Sequence, residues 1–152
     1  MSIGDTEDPA IETLGDTGLL LSVAGAMAIR NANVGLEAIG LRARTFAILE
    51  LVVRTGGVNQ RNLADKLRLN PSQMVALVDT LVADGLVERR QDDEDRRARL
   101  VCPTEEGERR WAEARELADR ALDRTLRDLT PPERALLHQM LSVVVHASEA
   151  DH

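Results

Sequence analysis

The sequence is short of aromatic residues and of cysteine. Its 152 residues include one Phe, one Trp, no Tyr and one Cys. So few rings argue against a surface on which nucleic-acid bases stack. The single thiol, Cys102, cannot form a disulfide within the chain, which favours a reducing cytoplasm. The remaining apolar residues are mostly aliphatic and suit helices, so we predict a mainly α-helical protein.

The patterns of catalytic and metal sites are missing as well. There is no glycine-rich phosphate loop, and the cysteine and three histidines suggest no nucleophile paired with a base. His138, His146 and His152 are spaced by eight and then six residues, which is not the spacing of metal ligands on one helix face. We therefore expect no enzymatic activity, no metal and no cofactor.

The chain also lacks an excess of positive charge. Its formal net charge is −7, which argues against unspecific binding to nucleic acid. Residues 60–99, however, contain eight basic and eight acidic residues, so this segment is neutral. The acidic surplus therefore lies outside the middle of the chain.

The N-terminal region is predicted to contain an acidic arm and then an apolar helix. Residues 1–15 are acidic and interrupted by Gly and Pro, which is typical of a flexible arm. Residues 16–40 are apolar around most of a helix, so a second subunit is expected to cover this first dimerisation helix. The acidic flank is the reverse of a secretory signal, and the run Leu19–Ile29 is shorter than the roughly 20 residues that span a bilayer. We therefore predict a buried helix and no membrane segment.

Residues 41–103 have the pattern of three helices followed by a β-hairpin. The first helix is predicted over Arg44–Arg54 and is stopped by Gly56. Asn59 is placed to cap a short second helix, and Asn70 to cap the third. The buried stripe of the third helix is predicted to comprise Met74, Val75, Val78, Leu81 and Val82.

The hairpin is predicted from two short runs with a polar loop between them. Residues 86–90 and 99–102 have strand character, and residues 91–98 are polar and charged. This arrangement predicts a β-hairpin that protrudes from the helices.

Residues 104–152 are predicted to form a long helix and a terminal helix. Thr104 is placed to cap the long helix, whose apolar residues keep helical spacing from Trp111 to Leu129. The run Thr130–Glu133 has the pattern of a capping box that begins the last helix. One small domain cannot cover helices of this length, so both are expected to take part in dimerisation.

Four short blocks are spaced along the middle of the chain as a set: LADKL at 63–67, VDTLVADGLVERR at 78–90, DRR at 95–97 and TEEG at 104–107. Together they resemble the MarR family of bacterial winged-helix transcriptional regulators, and the likeness extends from about Leu41 to Leu141. The Asp-x-Arg at the hairpin tip, followed by a strand and Thr-x-x-Gly, is its most specific part. The resemblance implies a mainly α fold with a small β-wing, in which a winged helix-turn-helix domain is joined to N- and C-terminal dimerisation helices.

The resemblance also implies a function. It indicates a homodimeric, cytoplasmic transcriptional regulator, expected to be a repressor, whose two recognition helices enter successive major grooves of a palindromic operator. Each wing would reach into the flanking minor groove. Relatives bind small aromatic or anionic ligands between the dimerisation helices and the DNA-binding lobe, so an effector of that class is expected. Arg30, the one basic residue of the first helix, is the candidate ligand contact, with an ordinary surface arginine as the alternative.

The expected DNA contacts fall into two groups. The outward residues at the recognition helix are expected to be Asn70, Ser72, Gln73, Ala76 and Thr80. Gln73 can pair with adenine, and Ala76 can touch a thymine methyl group. In the wing, the resemblance assigns Arg97 to the minor groove and Asp95 to orient it. Phosphate contacts are expected from four further arginines, Arg61, Arg89, Arg96 and Arg99.

These assignments have alternatives. Ser72, Gln73 and Thr80 also fit a solvated helix face. Asp95 and Arg97 also fit a surface ion pair, which contributes little to stability.

Some residues depart from the family pattern. Val75-Ala76 stands where the family commonly has a hydroxyl residue followed by Arg, and Arg68 stands where Gly is common. The acidic run 92–94 opposes contact with phosphate. A dimeric winged-helix module or antirepressor, which binds protein instead of binding DNA tightly, is therefore the rival hypothesis.

Overall fold

The fold is built from helices with a small sheet attached. The computed structural model describes residues 15–147, so nearly all of the predicted acidic arm and the last five residues lie outside the described part. The helices are α1 (Thr17–Leu36), α2 (Ala43–Thr55), α3 (Gln60–Leu67), α4 (Pro71–Ala83), α5 (Glu105–Thr125) and α6 (Pro131–Ala147). A 3-10 helix, Glu37–Ile39, follows α1, and the strands are β1 (Val58–Asn59), β2 (Val87–Gln91) and β3 (Arg99–Pro103). The predicted mainly α class with a small β-hairpin is confirmed.

Three helices begin at the predicted caps. Asn59 and Asn70 each accept, through Oδ1, the backbone N–H three residues further on, both at 2.8 Å. Thr104 Oγ1 accepts the N–H of Gly107 in the same way at 3.0 Å. These side chains satisfy N–H groups that have no partner within the helix, so local chemistry determines where α3, α4 and α5 begin.

The sheet contains a strand that the sequence pattern did not indicate. Its order is β1-β3-β2, and both pairings are antiparallel. Val101 in the middle of β3 lies opposite Val58 on one side and Arg89 on the other. A strand of two residues has no periodicity of its own, and β1 is a strand only because β3 supplies its hydrogen-bonding partners.

The core lies where α2, α3 and α4 meet the sheet. Leu49, Leu63, Met74, Leu81 and Val101 are all buried in one hydrophobic cluster there. The same cluster therefore holds α4 and the base of the hairpin. These two elements are positioned relative to each other by side-chain packing.

The two ends of the described chain expose apolar helices. Leu19, Leu21 and Met27 of α1 are exposed, and no residue of α6 is buried in the single chain. The sequence predicts that a second subunit covers the first helix, and for a single chain this stays a prediction. Thr17–Ile39 is also long and apolar enough to cross a membrane by length and composition, which corrects the shorter span of Leu19–Ile29. One such helix near a terminus is weak evidence for a membrane span.

Helix α5 is shorter than the predicted apolar stripe. It ends at Thr125, and Leu129 lies in the turn before α6, where its N–H donates to the carbonyl of Leu126 at 3.0 Å. Leu122 is exposed although it belongs to the predicted stripe. Asn31 Nδ2 donates to Thr125 Oγ1 at 2.9 Å, so the end of α5 is joined to α1 within the chain.

The turn between α3 and α4 stores backbone strain at Arg68. This residue has a φ of 53°, in the left-handed region, and its N–H donates to the carbonyls at the end of α3. A side chain in this conformation costs about 1 kcal/mol or more. We expect Arg68→Gly to raise the free energy of unfolding by up to about 1 kcal/mol, measured by chemical denaturation. Arg68→Ala keeps the strained Cβ, and an equal gain in that variant would show that strain is not the cause.

The start of α6 depends on an ionised glutamate. Glu133 Oε2 accepts hydrogen bonds from Thr130 Oγ1 and from the Thr130 N–H, both at 2.7 Å. These two hydrogen bonds lower the pKa of Glu133 below its ordinary value of 4.5, and the bond from the hydroxyl contributes more than the bond from the N–H. The stabilisation is therefore complete above that value and is lost as the pH falls through the lower pKa of the folded state. At pH 7 we expect wild type to have a higher melting temperature than Glu133→Gln. This difference in melting temperature should shrink below about pH 4.5. A difference that does not change with pH would contradict the role of the ionised carboxylate.

Candidate nucleic-acid interface

Helix α4 turns a face of mixed polarity to solvent. The predicted outward residues are all exposed: Asn70, Ser72, Gln73, Ala76 and Thr80. Val75 is 43% exposed, so its assignment to the buried stripe is wrong. Met74, Val78 and Leu81 define the buried face, and Val75 lies about 100° around the helix from Met74. The outward face therefore carries a branched apolar side chain among polar ones.

Two polar side chains of this face already make hydrogen bonds within the helix. Gln73 Oε1 accepts the N–H of Asn70 at 3.4 Å and so completes the predicted capping box. Thr80 Oγ1 donates to the carbonyl of Ala76 at 3.0 Å. To pair with the N6 amino group and N7 of adenine at once, Gln73 needs both its amide oxygen and its amide nitrogen. That pairing would compete with the cap, whereas the amide nitrogen remains a donor.

An ion pair joins α4 to the hairpin. Arg89 Nη2 on β2 donates to Asp79 Oδ1 on α4 at 2.6 Å and lies 3.4 Å from Gln60 Oε1 at the start of α3. The Arg89 side chain is 27% exposed. The predicted phosphate contact is thus directed towards α4. Sequence reasoning missed Asp79 as its partner, because the two residues meet only through the fold.

The loop of the hairpin is held by its own backbone. The N–H of Asp92 donates to the carbonyl of Ala98 at 3.1 Å, and the N–H of Ala98 donates to that of Asp95 at 2.8 Å. Gln91 Nε2 donates to the carbonyl of Arg96 at 2.7 Å. The tip therefore has a defined shape that presents the side chains of residues 96 and 97 outwards.

Asp95 positions the backbone of the tip. Its Oδ1 accepts the backbone N–H of Arg97 at 3.0 Å. Among the described residues, no ion pair joins its carboxylate to the Arg97 guanidinium. The implied orienting role thus acts on the main chain and leaves the guanidinium available.

The wing arginines surround two adjoining surface depressions. Arg89, Arg97 and Arg99 line one together with Gln60, and Arg96 joins them around the other. Within residues 15–147, Arg96, Arg97 and Arg99 take part in no ion pair. These guanidinium groups present donors that suit phosphate oxygens and the minor groove.

Arg61 is exposed on α3 and does not line either depression of the wing arginines. It lines the depression between α3 and α4, together with Asp65, Pro71 and Met74. Gln60, the preceding residue, lines both this depression and the one formed by Arg89, Arg97 and Arg99. Within residues 15–147, no group of His, Cys, Asp or Glu side chains is arranged to bind a metal ion.

The Thr-x-x-Gly block joins the wing to α5. Thr104 Oγ1 donates to the carbonyl of Gly85 at 2.7 Å, and the Thr104 N–H donates to that of Leu86 at 3.1 Å. Gly107 is buried directly against Leu86, where an added Cβ would overlap the carbonyl oxygen. This block therefore fixes the turn after α4 to the first turn of α5.

A cavity of about 370 Å³ lies between α1, α2 and α4. Ile29 and Leu77 form apolar parts of its lining, whereas Arg42 and Arg44 contribute cations and Thr80 belongs to α4 itself. Asn33, Thr45 and Asp84 complete the polar lining. Arg30 is exposed but is not among the lining residues. Sequence reasoning missed Arg42 and Arg44, because their position before and within the first turn of α2 carries no signal of a cavity.

Comparison with known proteins gives consistent results. The model of the MarR family matches residues 41–98. A solved transcriptional regulator of the MarR family from Rhodococcus sp. RHA1 is 34% identical, covers 93% of this chain and 96% of its own, and superposes with a TM-score of 0.80. CouR from Rhodococcus jostii RHA1, solved with p-coumaroyl-CoA bound, is 37% identical over 86% of this chain and 92% of its own, with a TM-score of 0.79.

A third relative is known by sequence. The HTH-type transcriptional regulator BilQ of Clostridium symbiosum is 28% identical over 109 residues, or 70% of this chain and 76% of that protein. The chain thus matches such regulators over most of its length. The matched part includes α4, the wing and the Thr-x-x-Gly block. The chain belongs to the MarR family of transcriptional regulators and is a DNA-binding winged-helix protein.

Proposed function

We propose that the protein is a homodimeric, cytoplasmic repressor without catalytic activity that binds a palindromic operator. The observation that supports this most is that the exposed face of α4 and the unpaired wing arginines belong to one packed unit. In the proposed complex, α4 enters the major groove and contacts bases through Ser72 and Gln73. Arg97 enters the adjoining minor groove, and Arg96 and Arg99 contact phosphates.

Dimerisation is supported by the apolar surfaces at both ends of the described chain. Large apolar side chains of α1 and α6, such as Leu20, Ile29, Leu136 and Met140, are between 43% and 54% exposed. Exposed apolar surface of this extent marks a protein interface. A dimer would cover both helices and set the distance between the two copies of α4 to about one turn of DNA.

The direct test is fluorescence anisotropy with DNA from upstream of the protein's own gene. A scrambled duplex of equal length is the control, and both are titrated from low to physiological salt. We expect nanomolar affinity for the upstream DNA that exceeds the affinity for the control by several hundredfold or more. Equal and weak binding to both duplexes, lost as salt rises, would contradict a role at this promoter.

The cavity between α1, α2 and α4 is the proposed effector site. An apolar wall with two arginines suits a ligand that combines an apolar group with an anion. CouR was solved with such a compound, p-coumaroyl-CoA. Because Thr80 of α4 lines the cavity, a ligand there would favour a different position of α4 and so a dimer with the wrong spacing for successive grooves.

Release of operator DNA by p-coumaroyl-CoA tests the effector site. We expect the compound to lower the anisotropy of the complex, and Arg44→Ala to raise the concentration needed by about tenfold, as for the loss of one charged hydrogen bond. Arg30→Ala is the matched control, because Arg30 is exposed but does not line the cavity. An equal effect of both substitutions would locate the effector elsewhere.

The rival function is a module that binds a protein partner. The net charge of −7 and the apolar Val75 on the exposed face of α4 favour it. It requires no guanidinium groups at the hairpin tip, and this is why we prefer DNA. If selection from a random DNA library also enriches no sequence, the protein-binding function becomes the better description.

A further inference from the structure

We propose that α4 recognises thymine through its 5-methyl group, and that Val75 is the residue that makes this contact. The inference rests on the proposed binding of α4 in the major groove and names what it reads there. It follows from two features of α4: several hydrogen-bonding groups of its outward face are already used, and the largest unused side chain is apolar.

Several polar groups of the outward face are engaged within the protein, although the Ser72 hydroxyl, among the described residues, is not. The Gln73 amide oxygen accepts the N–H of Asn70 at 3.4 Å, and the Asp79 carboxylate holds Arg89 at 2.6 Å. The hydroxyl of Thr80 donates to the Ala76 carbonyl at 3.0 Å. Cytosine, which presents a donor in the major groove, would find few free acceptors on this helix.

The geometry places Val75 at the centre of the exposed face. Ser72, Val75, Ala76 and Asp79 follow one another at helical spacing, so their side chains share one face, away from the buried Met74 and Val78. Val75 is 43% exposed in the free protein. It lies between the capped first turn and the Asp79–Arg89 pair, and it is larger than Ala76, the other apolar residue of this face, so it would reach further towards the base edges.

Thymine is the base that an exposed valine suits. It alone presents a methyl group in the major groove, and the other bases present hydrogen-bonding groups that valine would leave unpaired. Contact between the valine and that methyl group removes apolar surface of the protein and of the DNA from water. The Gln73 amide nitrogen, still a donor, is compatible with the thymine O4 or with a purine N7 beside it.

The experiment begins with the full-length dimer and a random DNA library. Selection identifies the bound half-site, and each thymine is then replaced singly by uracil, which removes only the methyl group. At one thymine per half-site we expect an affinity loss of about fourfold, the equivalent of one buried methylene, and about fifteenfold when both half-sites are changed. Replacement at the other thymines should have little effect.

Val75→Ala separates a direct contact from an effect of DNA shape. Alanine favours the helix, so this exposed substitution should not unfold the protein, which a thermal melt checks. The variant should bind the thymine site about as weakly as wild type binds the uracil site, and it should no longer distinguish the two. An equal thymine preference in both proteins would overturn the role of Val75.

The two levels of the proposal fail in different ways. If the library yields no bound sequence, the proposed operator binding itself is wrong and the inference falls with it. If a sequence is bound tightly but no uracil replacement changes the affinity, operator binding stands and the methyl contact is wrong. As a control of protein quality, Glu108→Ala on α5 should bind both DNA sites as wild type does.

Discussion

Gly107→Ala is expected to destabilise the protein by about 3 kcal/mol or more, at the upper end of what overpacking costs. An added Cβ would overlap the carbonyl oxygen of Leu86 and lie 2.9 Å from its carbonyl carbon. These are backbone atoms and cannot rotate away as a side chain can. The same carbonyl accepts the N–H of Thr104 at 3.1 Å, so moving it would also break the joint between the wing and α5.

The effect is measured as the midpoint and slope of chemical denaturation at a fixed protein concentration, because the stability of the proposed dimer would depend on concentration. Glu108→Ala is the matched control, since it alters the neighbouring residue of the same helix turn at an exposed position. We expect the control substitution to lower the free energy of unfolding much less than Gly107→Ala does. If Gly107→Ala were as stable as the control, the close packing of α5 against Leu86 would be wrong.

Arg97→Ala is expected to weaken operator binding by about 1–3 kcal/mol, or roughly 5- to 150-fold. The guanidinium is exposed at the hairpin tip and takes part in no ion pair within residues 15–147. Its removal should therefore lower the affinity for DNA and leave the stability of the fold unchanged. A narrow minor groove concentrates negative potential, and the loss of an arginine inserted there is correspondingly large.

Anisotropy titration of the operator at constant salt measures this effect. Arg120→Ala provides a control with the same change in charge, because Arg120 is exposed on α5 and far along the chain from the wing. A general electrostatic effect would weaken both variants equally. Wild-type affinity in Arg97→Ala would remove the wing from the proposed interface.

Local signals in the sequence predicted most of the elements. Asn59, Asn70 and Thr104 cap the helices that they were expected to cap, since a cap needs only a side-chain acceptor and an N–H a few residues further on. The hairpin of residues 87–103 was likewise indicated by its two runs and polar loop. These features involve neighbours in the chain, and a single sequence displays them directly.

Features that join distant segments were missed or wrong. The Asp79–Arg89 pair and the cavity with Arg42 and Arg44 depend on which elements lie side by side. The periodicity of α4 placed Val75 in the buried stripe, because an apolar residue next to Met74 is compatible with either face. Only the packing of Met74, Val78 and Leu81 against α2 and the sheet decides which side of the helix faces inwards.

Local signals in the sequence therefore predicted where α3, α4 and α5 begin, the hairpin and the likeness to winged-helix regulators, because caps, turns and motif spacing act over a few residues. Contacts between distant segments account for the rest: β1 is a strand because β3 lies beside it, and Gly107 is required because α5 passes the carbonyl of Leu86. Such contacts also determine which polar groups of α4 remain without a partner in the protein, since Arg89 on β2 binds Asp79. Hydrogen bonds and close packing require distance and direction in space, and these are set only when the chain has folded.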